Sequence, residues 1–353
     1  MRILITGAAG FVGAAIINHI VQHHKEFDLL GIDNFSRPGS EANRLILKKL
    51  GVDLRHADIR CLSDLALLPS VDWVIDAAAL PSVTAGLELD GASRQLMDVN
   101  LIGTVNLLEY CRKHDAGFVL ISTNRVYNIS QLAALPLRSD MTRFDLDLEQ
   151  SLPQGLSAEG LTEEFSTAPP VSLYGASKLC AETLVREYGL TFNLPVWVNR
   201  CGILAGAGQF GRPDQGILAY WLHSWHLKRP LKYIGFNGIG HQVRDCLHPD
   251  DLAALILRQL QAKPCSDNVY NVGGGKEWTF SLLELSNWCN RQWGTHNVAS
   301  EPETRAFDVP WLSMDSERAR VQFGWNPRKN LAQILTEMGQ HAEENPDWLD
   351  KTL

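Results

Sequence analysis

The chain has 353 residues, 45% of them hydrophobic and 20% charged, with a formal net charge of −8. That is enough material for a full core in one large domain or two joined ones, and the acidic balance speaks against nucleic acid as a general partner. With no run near the roughly 18 apolar residues a membrane helix needs, no secretory leader pattern, and seven dispersed cysteines lacking CxxC or metal-ligand spacing, it reads as cytoplasmic, with reduced thiols, no membrane and no metal.

Arg2–Thr6 is a short buried strand that runs straight into Gly7-Ala8-Ala9-Gly10-Phe11-Val12-Gly13 and a helix over 11–24. Gly7 permits the tight turn, Gly10 lets a pyrophosphate approach the backbone, and Gly13 lets the helix pack close to the sheet. Phe11 and Val12 sit in the helix N-terminus that would face the phosphates. Leu29–Ile32 is a second strand ending at Asp33, twenty residues after Gly13. A carboxylate there accepts both ribose hydroxyls and repels a 2′-phosphate, so the expected cofactor is NAD rather than NADP. Asn34, Ser36 and Arg37 follow as further cofactor contacts, although a flexible Arg37 could also meet a phosphate. Val52–His56 is a third strand, with Asp58 and Ile59 beyond it where an adenine ring would lie. Trp73–Asp76 is a fourth, followed by Ala77, Ala78 and Ala79, small enough to let the cofactor pass. A helix over 92–114 contributes Asn100. Phe118–Ile121 and Leu194–Val198 are the fifth and sixth strands. Continuous apolar strands alternating with helices predict an α/β fold, a Rossmann doubly wound parallel sheet.

Tyr174-Gly175-Ala176-Ser177-Lys178 puts a phenol and an ammonium one helical turn apart on one face. Tyr174 is a poor base at its ordinary pKa near 10, and Lys178 beside an oxidised nicotinamide would lower it. Lys178 could also grip the nicotinamide ribose. Thr123, just past the fifth strand, is the third expected catalytic residue, with Ser122 as the competing hydroxyl. The long stretch between Tyr127 and Tyr174 reads as a cover over the site. After residue 200 the texture changes to short helices with glycines and tryptophans, which predicts a smaller α/β substrate-binding lobe. The expected division is 1–198 for the NAD-binding fold, with about 237–262 returning to it, and 199–236 with 263–353 for the lobe.

These motifs resemble the extended short-chain dehydrogenases/reductases that act on nucleotide sugars. The resemblance rests on the glycine turn, Asp33, Asp98-Val99-Asn100, Thr123 four residues before Tyr127, Tyr174–Lys178, Val243-Arg244-Asp245 and Tyr270-Asn271-Val272-Gly273. Asn199 to Gly211 and Thr123-Asn124-Arg125-Val126-Tyr127 are similar to the CDP-paratose (CDP-tyvelose) 2-epimerase group. Dehydratases of the family carry Asp-Glu after the threonine, where this chain has Asn124 and Arg125. The resemblance therefore implies an NAD-dependent epimerase working through a transient keto-sugar. A UDP-sugar 4-epimerase, a nucleotide-sugar reductase and a non-catalytic NAD-binding sensor or scaffold are the alternatives. Implied substrate contacts are Ser82, Val83, Thr123, Asn124, Arg125, Arg200, Gln209, Gln215, Arg244 and Arg305. The two arginines Arg244 and Arg305 are expected on the diphosphate. A homodimer or higher homo-oligomer is expected to pair the helices of Asn100–Tyr110 and Tyr174–Glu187 through Leu101, Val105, Leu108, Leu179 and Leu184.

Overall fold

A computed structural model describes residues 1–82, 91–263 and 268–353. Strand and helix alternate from the start: β1 (Arg2–Thr6), α1 (Phe11–His23), β2 (Asp28–Asp33), α2 (Ser40–Lys49), β3 (Asp53–His56), α3 (Leu62–Ala66) and β4 (Trp73–Asp76). The helix expected over 92–114 is α4 (Ala92–Met97) and α5 (Gly103–His114), joined by a π-helical turn at Asp98–Ile102 that carries Asn100. Next come β5 (Gly117–Thr123), α6 (Ile129–Ala133), the hairpin of β6 (Leu137–Ser139) and β7 (Phe144–Leu146), α7 (Ser172–Phe192) and β8 (Val196–Cys201). The second half holds β9 (Ile203–Leu204), α8 (Ile217–His226), β10 (Leu231–Ile234), β11 (Val243–Leu247), α9 (Pro249–Gln261) and β12 (Val269–Val272). It ends with β13 (Thr279–Ser281), α10 (Leu282–Trp293), β14 (Val298–Glu301), β15 (Trp311–Leu312), α11 (Glu317–Phe323), α12 (Leu331–Glu344) and α13 (Trp348–Thr352).

Seven strands form one parallel sheet in the order β12-β8-β5-β4-β1-β2-β3. Alternate residues of each central strand face opposite layers. Ile3, Ile5, Ile75 and Val119 pack against α1 and α9 through Ile16, Ile17, Leu252 and Ile256. Leu4, Val74, Phe118 and Leu120 pack on the other side against Leu107 and Leu108 of α5 and Ala181 and Val185 of α7. Each such side chain stabilises the fold by about 1.5–3 kcal/mol on burial, which is why the strands are apolar on both faces.

The observed topology moves two segments relative to the sequence reading. β12 pairs with β8 at the sheet edge, so Val269–Val272, assigned to the lobe, lies in the nucleotide fold. Of residues 237–262, α9 joins the nucleotide fold, whereas β11 pairs with β9, β13 and β15 in a small sheet outside it. The lobe core lies between α8, α10 and α12 and holds Trp221, Trp225, Leu285 and Met338.

The stretch between Tyr127 and Tyr174 is not a cover. Leu132, Leu146, Leu161 and Phe165 are buried with Trp311, Leu312 and Met314, so an apolar cluster pins the segment beside the lobe. The expected helix-pairing surface also changes. Leu108 is fully buried in the core, Leu101 and Leu184 pack on it, and Leu179 packs on the cluster just described. Ile102 of the π-turn and Leu173, Leu190 and Phe192 of α7 are exposed apolar residues. Among the described residues, no helix is long and apolar enough to cross a membrane.

A polar knot ties the lobe to α9. Glu337 of α12 accepts from Ala207 N (3.1 Å) and Lys329 Nζ (2.9 Å) and meets His248 Nε2 at 3.2 Å, while Lys329 Nζ also lies 3.3 Å from Asp250. Burial alone would raise the Glu337 carboxyl, but the hydrogen bonds from His248 and Lys329 outweigh it and hold it at about 2. A depressed carboxylate stabilises the fold above its unfolded pKa and stops doing so as pH falls through its folded one. Glu337→Gln should therefore lower the urea midpoint at neutral pH, and the gap should close as pH drops from 4.5 towards about 2. Midpoints measured across that range check this, and a gap independent of pH would contradict it.

Candidate active site

One cavity of about 870 Å³ runs from the glycine turn after β1 to the inner face of the lobe. Gly7 sits at φ +59°, and a Cβ there would lie 2.9 Å from Ala77 O. A Cβ on Gly13 would come 2.3 Å from Gly7 O, so α1 can approach the strand only because that residue is bare. Gly10 begins α1 with no side-chain cap, leaving the first helical N–H groups for an anion. Gly7, Gly10, Phe11, Val12 and Gly13 all line the cavity, and so do Ala77, Ala78 and Ala79 opposite them. The alanine run is fastened below: Thr6 Oγ1 donates to Asp76 (2.7 Å) and accepts from Ala78 N (3.1 Å).

Asp33 lines the cavity at the end of β2. Its oxygens accept from Ala9 N (2.9 Å) and Phe35 N (2.7 Å). Burial pushes its carboxyl up while those N–H groups pull it down, and each oxygen keeps a lone pair for a ribose hydroxyl. Asn34 and Ser36 line the same wall, and Asn34 Nδ2 donates to Asp58 (2.9 Å). Arg60, which the sequence reading passed over, pairs with Asp58 at 2.6 Å and holds that carboxyl well below its usual range; Ile59 lies between them on the wall. Arg37 is held from across the cleft, donating to Gln215 Oε1 at 2.5 Å. Asn100 is set back from the cavity wall. Buried to 1% exposure, it accepts from Leu80 N (2.8 Å) and donates to Ser177 (3.2 Å), so it clamps the loop after β4 to α7 rather than lining the cofactor space.

Thr123 ends β5 and Tyr174 lies in the first turn of α7; both line the cavity, and their hydroxyls interact. Ser122 Oγ donates inward to Glu182 (2.5 Å), so the competing hydroxyl is already committed. Burial pushes the Tyr174 phenol up to about 12, against the pull of Thr123 and Arg125. The expected lowering by Lys178 belongs to the site with an oxidised nicotinamide in place. Lys178 is 1% exposed, away from the cavity wall; burial pushes its pKa down, against the pull of Asp76 and Glu182. A four-residue offset fixes a shared helix face; it does not fix where a four-carbon stem ends.

Asn124, Arg125, Gln209, Gln215, Arg244 and Arg305 line the lobe side of the cavity. Gln209 is largely spent on the backbone, donating to Leu204 O (2.6 Å) and accepting from Ala219 N (3.0 Å). Arg244 pairs with Asp308 at 2.7 Å, and Arg305 donates to Pro213 O (3.2 Å). Ser82 Oγ donates to Asp214 (2.8 Å). Val83 lies outside the described residues. Arg200 does not reach the cavity: it forks onto Glu182 at 2.8 Å and lies over the Tyr127 ring at 5.2 Å, both partners buried. The resemblance implied a substrate contact for Arg200, but a carboxylate on the neighbouring helix claims it. Asp214 and Asp308 are cavity residues that the sequence reading did not single out. The signal for Asp308 lay in its place three residues after Arg305, on a turn that holds Phe307 at φ +64°.

Residues 3–273 match the NAD dependent epimerase/dehydratase family. The chain is 29% identical to CDP-paratose 2-epimerase of Salmonella typhi over 344 residues, 93% of this chain and 95% of that protein. It is 24% identical to a putative UDP-glucose 4-epimerase of Methanocaldococcus jannaschii, covering 97% of this chain and 99% of that one. Among solved structures, UDP-glucuronic acid 4-epimerase from Bacillus cereus, in complex with UDP-glucuronic acid and NAD, superposes with a TM-score of 0.78 at 23% identity, over 98% of this chain and 99% of that one.

Proposed function

The chain belongs to the NAD dependent epimerase/dehydratase family and is an NAD-dependent enzyme; from that premise we propose that it epimerises a nucleotide-diphosphate sugar through a transient keto-sugar, in the manner of a CDP-paratose/CDP-tyvelose 2-epimerase. The observation that carries the choice of epimerisation is the pair of residues after Thr123. Eliminating water needs an added acid and base, and here Asn124 and Arg125 line the cavity instead. Neither side chain can exchange a proton in that role. The likeness to CDP-paratose 2-epimerase supports C2 and CDP.

When bound, NAD supplies a reversible acceptor for the hydrogen on the reacting carbon. The glycine turn and the N-terminus of α1 would hold its pyrophosphate, and Asp33 its adenosine ribose. Tyr174 would take the proton of the sugar hydroxyl, and Thr123 would orient that hydroxyl by donating to and accepting from it. Lys178 would support the site from behind the cavity wall. Arg244 and Arg305 would meet the diphosphate.

Presenting nucleotide sugars to the enzyme in heavy water, with proton NMR of the products, tests the reading. The expected product keeps its original hydrogen at the inverted carbon. Deuterium entering from solvent would mean proton abstraction through an enolate and would end the proposal. Titrating both cofactors into stripped protein should show NAD binding well ahead of NADP, because Asp33 would face the ribose; equal affinity would remove that role from Asp33. We also propose that the enzyme is a dimer through α5 and α7. Light scattering at micromolar concentration should report twice the chain mass, and a monomer would refute it.

A further inference from the structure

We propose that the turn at residues 212–215 is a clasp that closes over the bound NAD, with Arg37 and Gln215 as its positioning pair. The inference rests on the epimerase reading, in which the hydrogen taken from the sugar must be returned by the same cofactor before that cofactor leaves.

Three consecutive residues of the turn are each gripped by a different element. Arg305 of the lobe donates to Pro213 O at 3.2 Å. Ser82, in the loop after β4, donates to Asp214 at 2.8 Å. Arg37, in the loop after β2, donates to Gln215 Oε1 at 2.5 Å. Two of these ties therefore join the lobe to the nucleotide fold. Arg37 follows Asp33 by four residues and lines the same cavity. Pro213, Asp214 and Gln215 line it too, so the turn borders the space that the cofactor would fill.

The turn keeps its own shape. Arg212 N donates to Gln215 O (2.7 Å) and Gln215 N to Arg212 O (3.2 Å). A Cβ on Gly216 would come 2.0 Å from Phe210 O, so the two ends of the loop touch. Its neck is fixed from behind by α13: Trp348 Nε1 donates to Gln209 O (2.9 Å), and the Trp348 ring meets Phe210 at 5.9 Å. The neck also backs the Arg37 loop, since a Cβ on Gly39 would lie 3.3 Å from Phe210 and 2.7 Å from Thr352. The tip is held differently. Asp214 has its ion pair with Arg212 of the same turn (3.5 Å), and the ties across the cleft are hydrogen bonds. Water can replace such partners when the cleft opens, so each tie is modest in net terms. A packed neck with a releasable tip can admit the cofactor and then retain it.

The test uses the NAD-loaded enzyme without sugar. Radiolabelled NAD is chased with excess unlabelled NAD, and the label left on the protein is followed by rapid gel filtration. Arg37→Ala and Gln215→Ala should each speed release about ten- to a hundredfold, the scale of losing one hydrogen bond to a charged group. The double variant should release no faster than the faster single one, because both changes break the same tie. Gln215→Glu, which exchanges that tie for an ion pair, should hold NAD at least as long as the parent and so separates the effect from a folding defect. If Arg37→Ala speeds release and Gln215→Ala does not, Arg37 touches NAD on its own and the clasp is refuted; unchanged release in both refutes it as well. The chase does not depend on the sugar chemistry, so the expected release rates beside a failed epimerisation assay would end the epimerase reading while the clasp stands.

Discussion

Tyr174→Phe should lose about 10²–10⁴-fold in kcat, the scale of removing a general base, while KM for the nucleotide sugar barely changes. The phenol oxygen matters in the transition state, where the sugar hydroxyl gives up its proton, so its loss should fall on turnover rather than on binding. The variant should fold normally, because the ring keeps its packing and only its interaction with Thr123 is lost. Thr123→Ala should cost less, since it removes an orienting hydroxyl and leaves the base. Steady-state kinetics of the two variants check the order. A Tyr174→Phe enzyme that keeps kcat within roughly threefold of the parent, far short of the ~10²-fold or more that losing a base costs, would place the base elsewhere.

Arg200→Ala should destabilise the protein by about 3–5 kcal/mol, the cost of leaving one buried charge without its partner. Glu182 is 3% exposed and Arg200 9% at the side chain, so removing the guanidinium strands a carboxylate that also accepts from Ser122. Tyr127 would lose the cation over its ring, although its hydroxyl would keep Asn271 at 2.6 Å. A urea midpoint well below that of the parent checks this. An unchanged midpoint with a raised KM would return Arg200 to the substrate, where the resemblance put it.

What was legible in the sequence follows from which signals are local. The glycine turn, the apolar strands and Asp33 are constrained within a few residues of chain, and the structure places them in the parallel sheet and on the cavity wall. Thr123 and Tyr174 meet there too, because one ends a strand and the other opens the helix beside it. Arg200 and Lys178 were harder to read. Both are long side chains whose direction depends on carboxylates distant in sequence, Glu182 for one and Asp76 for the other. Asn100 had the right helix but met the loop after β4 and Ser177, partners that no nearby stretch of sequence announces. The 128–173 stretch lacked periodicity because its apolar residues serve a cluster assembled with residues 309–314. No short window of sequence contains that cluster.

The sheet takes its outermost strand, β12, from residues 269–272, after the chain has already built much of the lobe. During synthesis, then, the first 201 residues emerge with β8 as a bare edge, every residue of which is buried in the finished fold, its neighbour still unmade. Such an edge invites pairing with other chains. A fragment cut after Cys201 should therefore aggregate, however complete its cofactor motifs look. The ribosome must deliver about 70 more residues, counted from the strand positions, before that edge is closed.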